Sequence, residues 1–192
     1  GRDRGLPEAG PDRPAADFYV PALELQFMTP VDGADFRRVA GQFASGIMVV
    51  TTRTGGVDHA MTVTAFASVS LEPQRVLFCA EKIARFHDAV QEAGFWAVSV
   101  LDEDAEKVAR WLATRGRPLD GQLAGIAHHP APQTGAPALD DALGVIECRT
   151  TAVHDGGDHS IVVGEVIGVS EPRPGGQPLI HYAGRYRTLN SD

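Results

Sequence analysis

Three stretches of this 192-residue chain hold residue types that could do chemistry. The first is His59 to Pro73, HAMTVTAFASVSLEP. Read as one strand of period two, it points Val63, Ala65, Ala67 and Val69 one way. Thr62, Thr64, Phe66, Ser68 and Ser70 point the other. The polar face sets small hydroxyls around a single aromatic, and no charge occurs from Ala60 to Leu71. Such a surface suits a flat, polar ligand held by close backbone approach and directional hydrogen bonds. An edge strand rich in Ser and Thr for β-propensity alone has the same pattern.

The second stretch, His154 to Val166, reads HDGGDHSIVVGEV. Gly156-Gly157 make a tight turn between two strands, with Asp158-His159 opening the second. A His beside an Asp could serve as a proton donor or as a hydrogen-bonding post for a charged cosubstrate. His154, Asp158 and His159 also offer the two imidazoles and one carboxylate of a non-haem iron site. Both histidines flank one turn and would have to converge; a polar hairpin tip is the plain alternative. The third stretch is Glu81 to Arg85, EKIAR, between a strand and a helix. Free N–H groups at the helix start, with Lys82 and Arg85 beside them, make a phosphate site. A solvated basic turn is the other reading.

The elements around these stretches follow from periodicity and caps. Asp32 caps a helix ADFRRVAGQF, with Asp35 in its first turn and a stripe of Phe36, Val39, Ala40 and Phe43 expected to be buried. IMVVTTRT is a core strand that turns at Gly55-Gly56 into the first stretch. RVLFCA and FWAVSVL are strands on either side of a helix ARFHDAVQEAG that ends at Gly94. Asp102 caps a further helix with Ala105, Val108, Ala109 and Leu112 on one face. Residues 116–139, rich in Gly, Pro and Ala, form a long connection of the kind that often acts as a lid or mobile loop. Three strands end the chain: GVIECRTTAVH, SIVVGEVIGVS and PLIHYAGRYRTL. Six or seven strands without β-α-β alternation, and no Gly-rich strand-to-helix fingerprint, exclude a doubly wound sheet and predict an antiparallel barrel with peripheral helices.

Composition narrows the classes. A net charge of −8 argues against nucleic-acid or anionic-membrane partners, and the one dense basic cluster, Arg115 to Arg117, is too short to be their footprint. No apolar run reaches the ~20 residues of a membrane span. Cys79 and Cys148 sit apart in apolar runs, which fits a reducing cytoplasm. Residues 1–31 read as an extension, partly disordered, with no signal-peptide core, and the apolar Phe18 to Met28 could lie across the body or a partner subunit. A first residue of Gly rather than Met is what removal of an initiator or tag leaves. The folded domain is expected over 32–192.

In this order FRRVAGQFASGIMVVTT, HAMTVTAFASVSLEPQRVLFC, EKIARFHDAV, LGVIECRTTAVHDGGDH and PLIHYAGRYRTL resemble the flavin reductase-like family, the reductase components of two-component, flavin-diffusible monooxygenases. The resemblance runs from about Phe36 to Leu189. It implies a mainly β, antiparallel split β-barrel, usually a homodimer, that oxidises NADH or NADPH and reduces FAD or FMN for a partner monooxygenase. By matching position it implies that Met61, Thr62, Val63, Thr64, Ala65, Phe66, Ser68 and Val69 hold the isoalloxazine and ribityl chain. Lys82, Ile83, Ala84 and Arg85 would lie at the phosphate. Asp158 and His159 would face the nicotinamide, His159 orienting it for reaction, with Arg185 and Tyr186 as further candidates; no metal is implied. The chain departs from the family at Ala65, where Ser is common, at Ala84 and Phe86, where Ser or Thr is common, and mildly at Ser45, where Thr is commoner. Each missing hydroxyl removes a hydrogen bond worth roughly 0.5–1.5 kcal/mol, and with it part of the hold on FAD or FMN. A flavin-binding protein without turnover is the alternative on the same fold.

Overall fold

The computed structural model describes residues 29–189, so Phe18 to Met28 and the rest of the N-terminal extension lie outside the described residues. Seven strands carry the fold: β2 (Met48–Thr54), β3 (Val57–Val63), β4 (Phe66–Leu71), β5 (Gln74–Glu81), β6 (Phe95–Val100), β9 (Gly144–Gly156) and β10 (His159–Ser170). They form one antiparallel sheet in the order β3-β2-β6-β9-β10-β5-β4. β3 and β4 stand at opposite ends of that order, yet only Thr64 and Ala65 separate them in the chain. A sheet whose first and last strands are joined by two residues must curl until its edges meet, which makes a barrel. The corner itself is tied to β5, one step beyond the β4 ladder, by the Cys79 N–H donating to the Ala65 carbonyl at 3.0 Å.

That corner corrects the reading of His59 to Pro73 as one strand. The break at Thr64-Ala65 resets the alternation, so Val63 and Phe66 both turn inward while Ala67 and Val69 are exposed. The β-propensity of the stretch is real, but closing the barrel requires a corner, and the small Ala65 permits one.

Alternation along β2 and β6 divides the core. Val49 and Ala97 join Leu101, Leu112, Leu139 and Leu179 on one side of the sheet. Val50, Trp96 and Val98 join Phe78, Val90 and Val162 on the other. Trp96 and Phe78 meet edge to face with centroids 4.8 Å apart. Gly164 makes room for them, since a Cβ there would overlap the Trp96 ring.

Helix α2 (Arg85–Ala93) buries Phe86 and Val90 in the second cluster and ends at Gly94 with φ 68°. Helix α3 (Glu106–Ala113) follows a short 3-10 turn capped by Asp102 and buries Ala109 and Leu112 in the first cluster. The connection over 116–139 is packed rather than loose. It folds into a small hairpin of β7 (His128–Pro130) and β8 (Pro137–Leu139), and Gln122, Leu123, Ala131, Ala136 and Ala138 are all buried. Its small residues read as flexible in one dimension but pack as core in three.

Helix α1 (Gly33–Ala40) starts at Asp32, whose carboxylate accepts from the Ala34 and Asp35 N–H groups. Asp35 makes no reciprocal cap and pairs with Arg38 instead, at 2.8 Å. The expected buried stripe is present but uncovered: Phe36 is 64% exposed, Val39 62% and Phe43 80%. The last expected strand splits at Ala183-Gly184 into β11 (Ile180–Tyr182) and β12 (Arg185–Arg187), which form a separate three-stranded sheet with β1 (Ser45–Gly46).

Candidate functional site

A cleft of about 580 Å³ opens beside the barrel seam. One wall is β3 from His59 to Val63 with the Thr64-Ala65 corner. Apart from His59 at its end, this wall carries no ionisable side chain. The Thr62 hydroxyl is committed to the fold, donating to the Ala109 carbonyl of α3 at 2.8 Å. What the wall offers a ligand is therefore backbone and exposed small side chains.

The opposite wall is cationic. Ile83, Ala84 and Arg85 line it at the start of α2, facing Thr114 to Arg117, Leu119 and Gln122. Arg115 pairs with Glu81 at 2.5 Å. Arg85 donates from Nη2 to the Arg117 carbonyl at 2.5 Å. Arg117 itself donates to the Thr114 carbonyl at 2.9 Å, to Gln122 Oε1 at 3.2 Å and to the Ala60 carbonyl. Gln122 is buried and donates to the Asp58 carbonyl at 2.7 Å, so the loop after α3 is tied to β3 by its own polar side chains. Burial lowers the Arg117 pKa, and the neighbouring Arg85 charge lowers it further. Burial, and then Arg85, likewise hold His59 below the ordinary imidazole range, against a smaller opposing pull from Asp58 and Glu92.

β10 brings His159 to the same cleft. Its register sets His159 opposite Glu81 of β5, and the Lys82 N–H donates to the Asp158 carbonyl at 3.0 Å. His159 Nδ1 lies 2.7 Å from Asp158 Oδ1. The hydrogen bond and charge of His159 hold the Asp158 carboxyl below its usual range. An oriented imidazole at the lip of a cleft, half exposed, suits contact with a second ligand more than burial in the first.

Of the expected residues, then, Met61 to Ala65, Ile83 to Arg85 and His159 come together here. Phe66 packs into the core beneath, and Ser68 and Val69 lie exposed further along β4. Lys82 turns away to pair with Asp155, whose carboxyl it holds low. Arg185 and Tyr186 belong to β12. Tyr186 sits under the Arg110 guanidinium at 4.5 Å and lines a second cavity with Glu106 and Leu179. His154 pairs opposite Ile161, and no three His, Cys, Asp or Glu among the described residues gather closely enough for a metal. Phe86, at a position where the resemblance implies a hydroxyl, turns inward to meet Phe78 edge to face at 6.2 Å. Sequence reasoning missed His59, Cys79, Glu81 and the Thr114 to Gln122 loop. Cys79 lines the cleft with its thiol pKa raised by burial, so it stays protonated.

An uncharged β wall, a cationic helix start and an oriented histidine thus meet in one cleft of a split antiparallel barrel. The chain belongs to the flavin reductase like domain family, which it matches over residues 40–190. It is 39% identical over 163 residues to the "Flavin-dependent monooxygenase, reductase subunit HsaB" of Mycobacterium tuberculosis (strain CDC 1551 / Oshkosh), covering 84% of this chain and 85% of that protein. It is 35% identical to the "NADH-dependent FAD reductase" of Streptomyces globisporus, over 91% of this chain and 94% of that one. Among solved structures it is similar to BorF, the flavin reductase component of a bacterial two-component tryptophan halogenase. There the TM-score is 0.79 at 36% identity, covering 84% of this chain and all of that one (100%).

Proposed function

We infer that this chain is an NAD(P)H:flavin oxidoreductase that reduces FAD or FMN and supplies the reduced flavin to a partner monooxygenase. The observation that carries the reading is the pairing, in one cleft, of a wall without charge and a wall of arginines. A flavin nucleotide has the same division, a flat uncharged ring system at one end and phosphate at the other. The run from Met61 to Ala65, which lines the cleft without an ionisable side chain, fits the ring, and Arg85 with the start of α2 fits the phosphate.

Flavin, when bound, supplies the hydride acceptor, and that transfer needs no acid or base from the protein. The chain's part is placement. The β3 wall would hold the ring system and keep water from it. His159, oriented by Asp158, would contact the nicotinamide nucleotide. The relatives named as reductase subunits support transfer of the product to a monooxygenase. NADH is the donor named for several of them.

The exposed stripe of Phe36, Val39 and Phe43 supports a homodimer in which a second copy covers α1. Sedimentation should show dimers at micromolar protein; a monomer that binds flavin fully would refute this. The unpaired Cys79 and Cys148 support a cytoplasmic location, and no described helix is long and apolar enough to cross a membrane. Oxidation of NADH and NADPH, followed at 340 nm (about the nicotinamide absorbance) with FAD, FMN and riboflavin in turn, tests the activity. No oxidation with any pair would overturn the reading.

A further inference from the structure

Two guanidinium groups on the cationic wall have no carboxylate among the described residues. Arg115 is matched by Glu81. Every acceptor of Arg85 and Arg117, in contrast, is a neutral oxygen: Arg117's own carbonyl for Arg85, and Thr114, Ala60 and Gln122 for Arg117. Arg117 Nε is buried with no acceptor among the described residues. Like charges held together in a partly desolvated cleft are unfavourable unless an anion completes them. A loop that needed only a pin could have used a neutral donor, as Trp111 does when it donates to the Gln122 carbonyl at 2.7 Å. The start of α2 adds potential of the same sign, and Ala84 caps it without a side-chain hydrogen bond.

We propose that Arg117 is a positioning residue for the phosphate of the flavin nucleotide. Its side chain locks the loop after α3 against β3, its carbonyl holds the Arg85 guanidinium over the cleft, and its charge adds to the field the phosphate meets. Riboflavin, which has the same ring and no phosphate, is blind to the two effects of charge, the held Arg85 guanidinium and the field of Arg117 itself. The proposal rests on the reading of the cleft as a flavin site and adds which residues select the nucleotide form.

Equilibrium titration of the full chain with riboflavin, FMN and FAD, at low and high ionic strength, tests it. Arg117→Gln should weaken FMN and FAD roughly 10- to 100-fold, the scale of a lost charge-assisted interaction. It should leave riboflavin within about threefold and flatten the salt dependence of FMN binding. Arg117→Lys keeps the charge without the forked grip. It should fall between wild type and Arg117→Gln for FMN, again sparing riboflavin, and it stands in if Arg117→Gln does not fold. Equal weakening of all three flavins in both variants, or of none, would make Arg117 a structural pin and overturn the proposal. Unchanged flavin affinities with a raised KM for NADH would assign the clamp to the cosubstrate's pyrophosphate, and also overturn it. A wild type that binds none of the three would instead refute the flavin reading on which the proposal depends.

Discussion

The two walls of the cleft are built on opposite principles. The β3 wall is rigid because it is sheet: its backbone is paired to β2 from Val57 to Val63, and Thr62 ties it to α3. The arginine wall is rigid because its polar side chains grip carbonyls across the cleft floor, Arg117 to Ala60 and Gln122 to Asp58. On the proposed reading the first wall would bind by shape and backbone and be insensitive to salt. The second would bind by charge and respond to salt and to the loss of single side chains. One such cleft would distinguish a ring from its phosphate tail without a side chain dedicated to each atom.

The largest expected effect lies on neither wall. His159→Ala removes a contact to the nicotinamide and should lower kcat/KM for NADH roughly 10- to 100-fold, about 1.4–2.7 kcal/mol of transition-state stabilisation. Flavin affinity should change less than about threefold. If flavin binding collapses as well, His159 belongs to the flavin pocket and the division into two walls and a lip is wrong.

Arg85→Ala strikes the cationic wall alone. FMN and FAD should bind about 1–2 kcal/mol more weakly while riboflavin is unchanged. Isothermal titration with the three flavins reads the difference directly, and equal losses would show that Arg85 acts through folding. Thr62→Val is the matching change in the neutral wall. Its hydroxyl already serves Ala109, so thermal unfolding should show a loss of about 0.5–1.5 kcal/mol with flavin affinity intact. A flavin affinity that falls while stability holds would mean that the hydroxyl turns to the ligand.

The two walls also differ in how far they could be read before the fold was known. The β3 wall is legible because its cues are local: the Gly55-Gly56 turn, with φ of 58° and 78°, starts it, and the absence of charge marks its face. Its corner at Thr64-Ala65 is not legible, since neither residue is a Gly or Pro and only barrel closure demands the bend. The cationic wall was half visible. Arg85 shows beside a helix start, but Arg115 and Arg117 read as surface charge until the loop after α3 folds back 57 residues to Ala60. Arg185 and Tyr186, expected from the resemblance, lie on the separate three-stranded sheet, a placement that no local cue in the sequence shows. The α1 stripe was legible as amphipathic, while its Phe36, Val39 and Phe43 stay exposed, which periodicity alone does not foretell.

The smallest expected effect is a change of sign, and it tests whether the walls communicate. His59 ends the neutral wall but senses the cationic one, because burial first and Arg85 second lower its pKa. The unfolded chain titrates near the ordinary histidine value of about 6.5, so below that pH it takes up a proton that the folded chain refuses. Stability should therefore fall as pH drops through that value towards the lower folded pKa, and be untouched by His59 above it. His59→Gln, which stays neutral, should flatten that part of the pH profile of thermal unfolding. Ligands then separate the two causes. Riboflavin can only deepen the burial of His59 and should lower its pKa or leave it in place. FMN brings a phosphate to Arg85, offsets the charge that repels the imidazolium, and should raise the pKa relative to the riboflavin complex. Imidazole resonances followed by NMR through the titration give the order of the three values. The same pKa in both complexes would mean that the phosphate does not sit at Arg85, and that the two walls act as one apolar enclosure around His59.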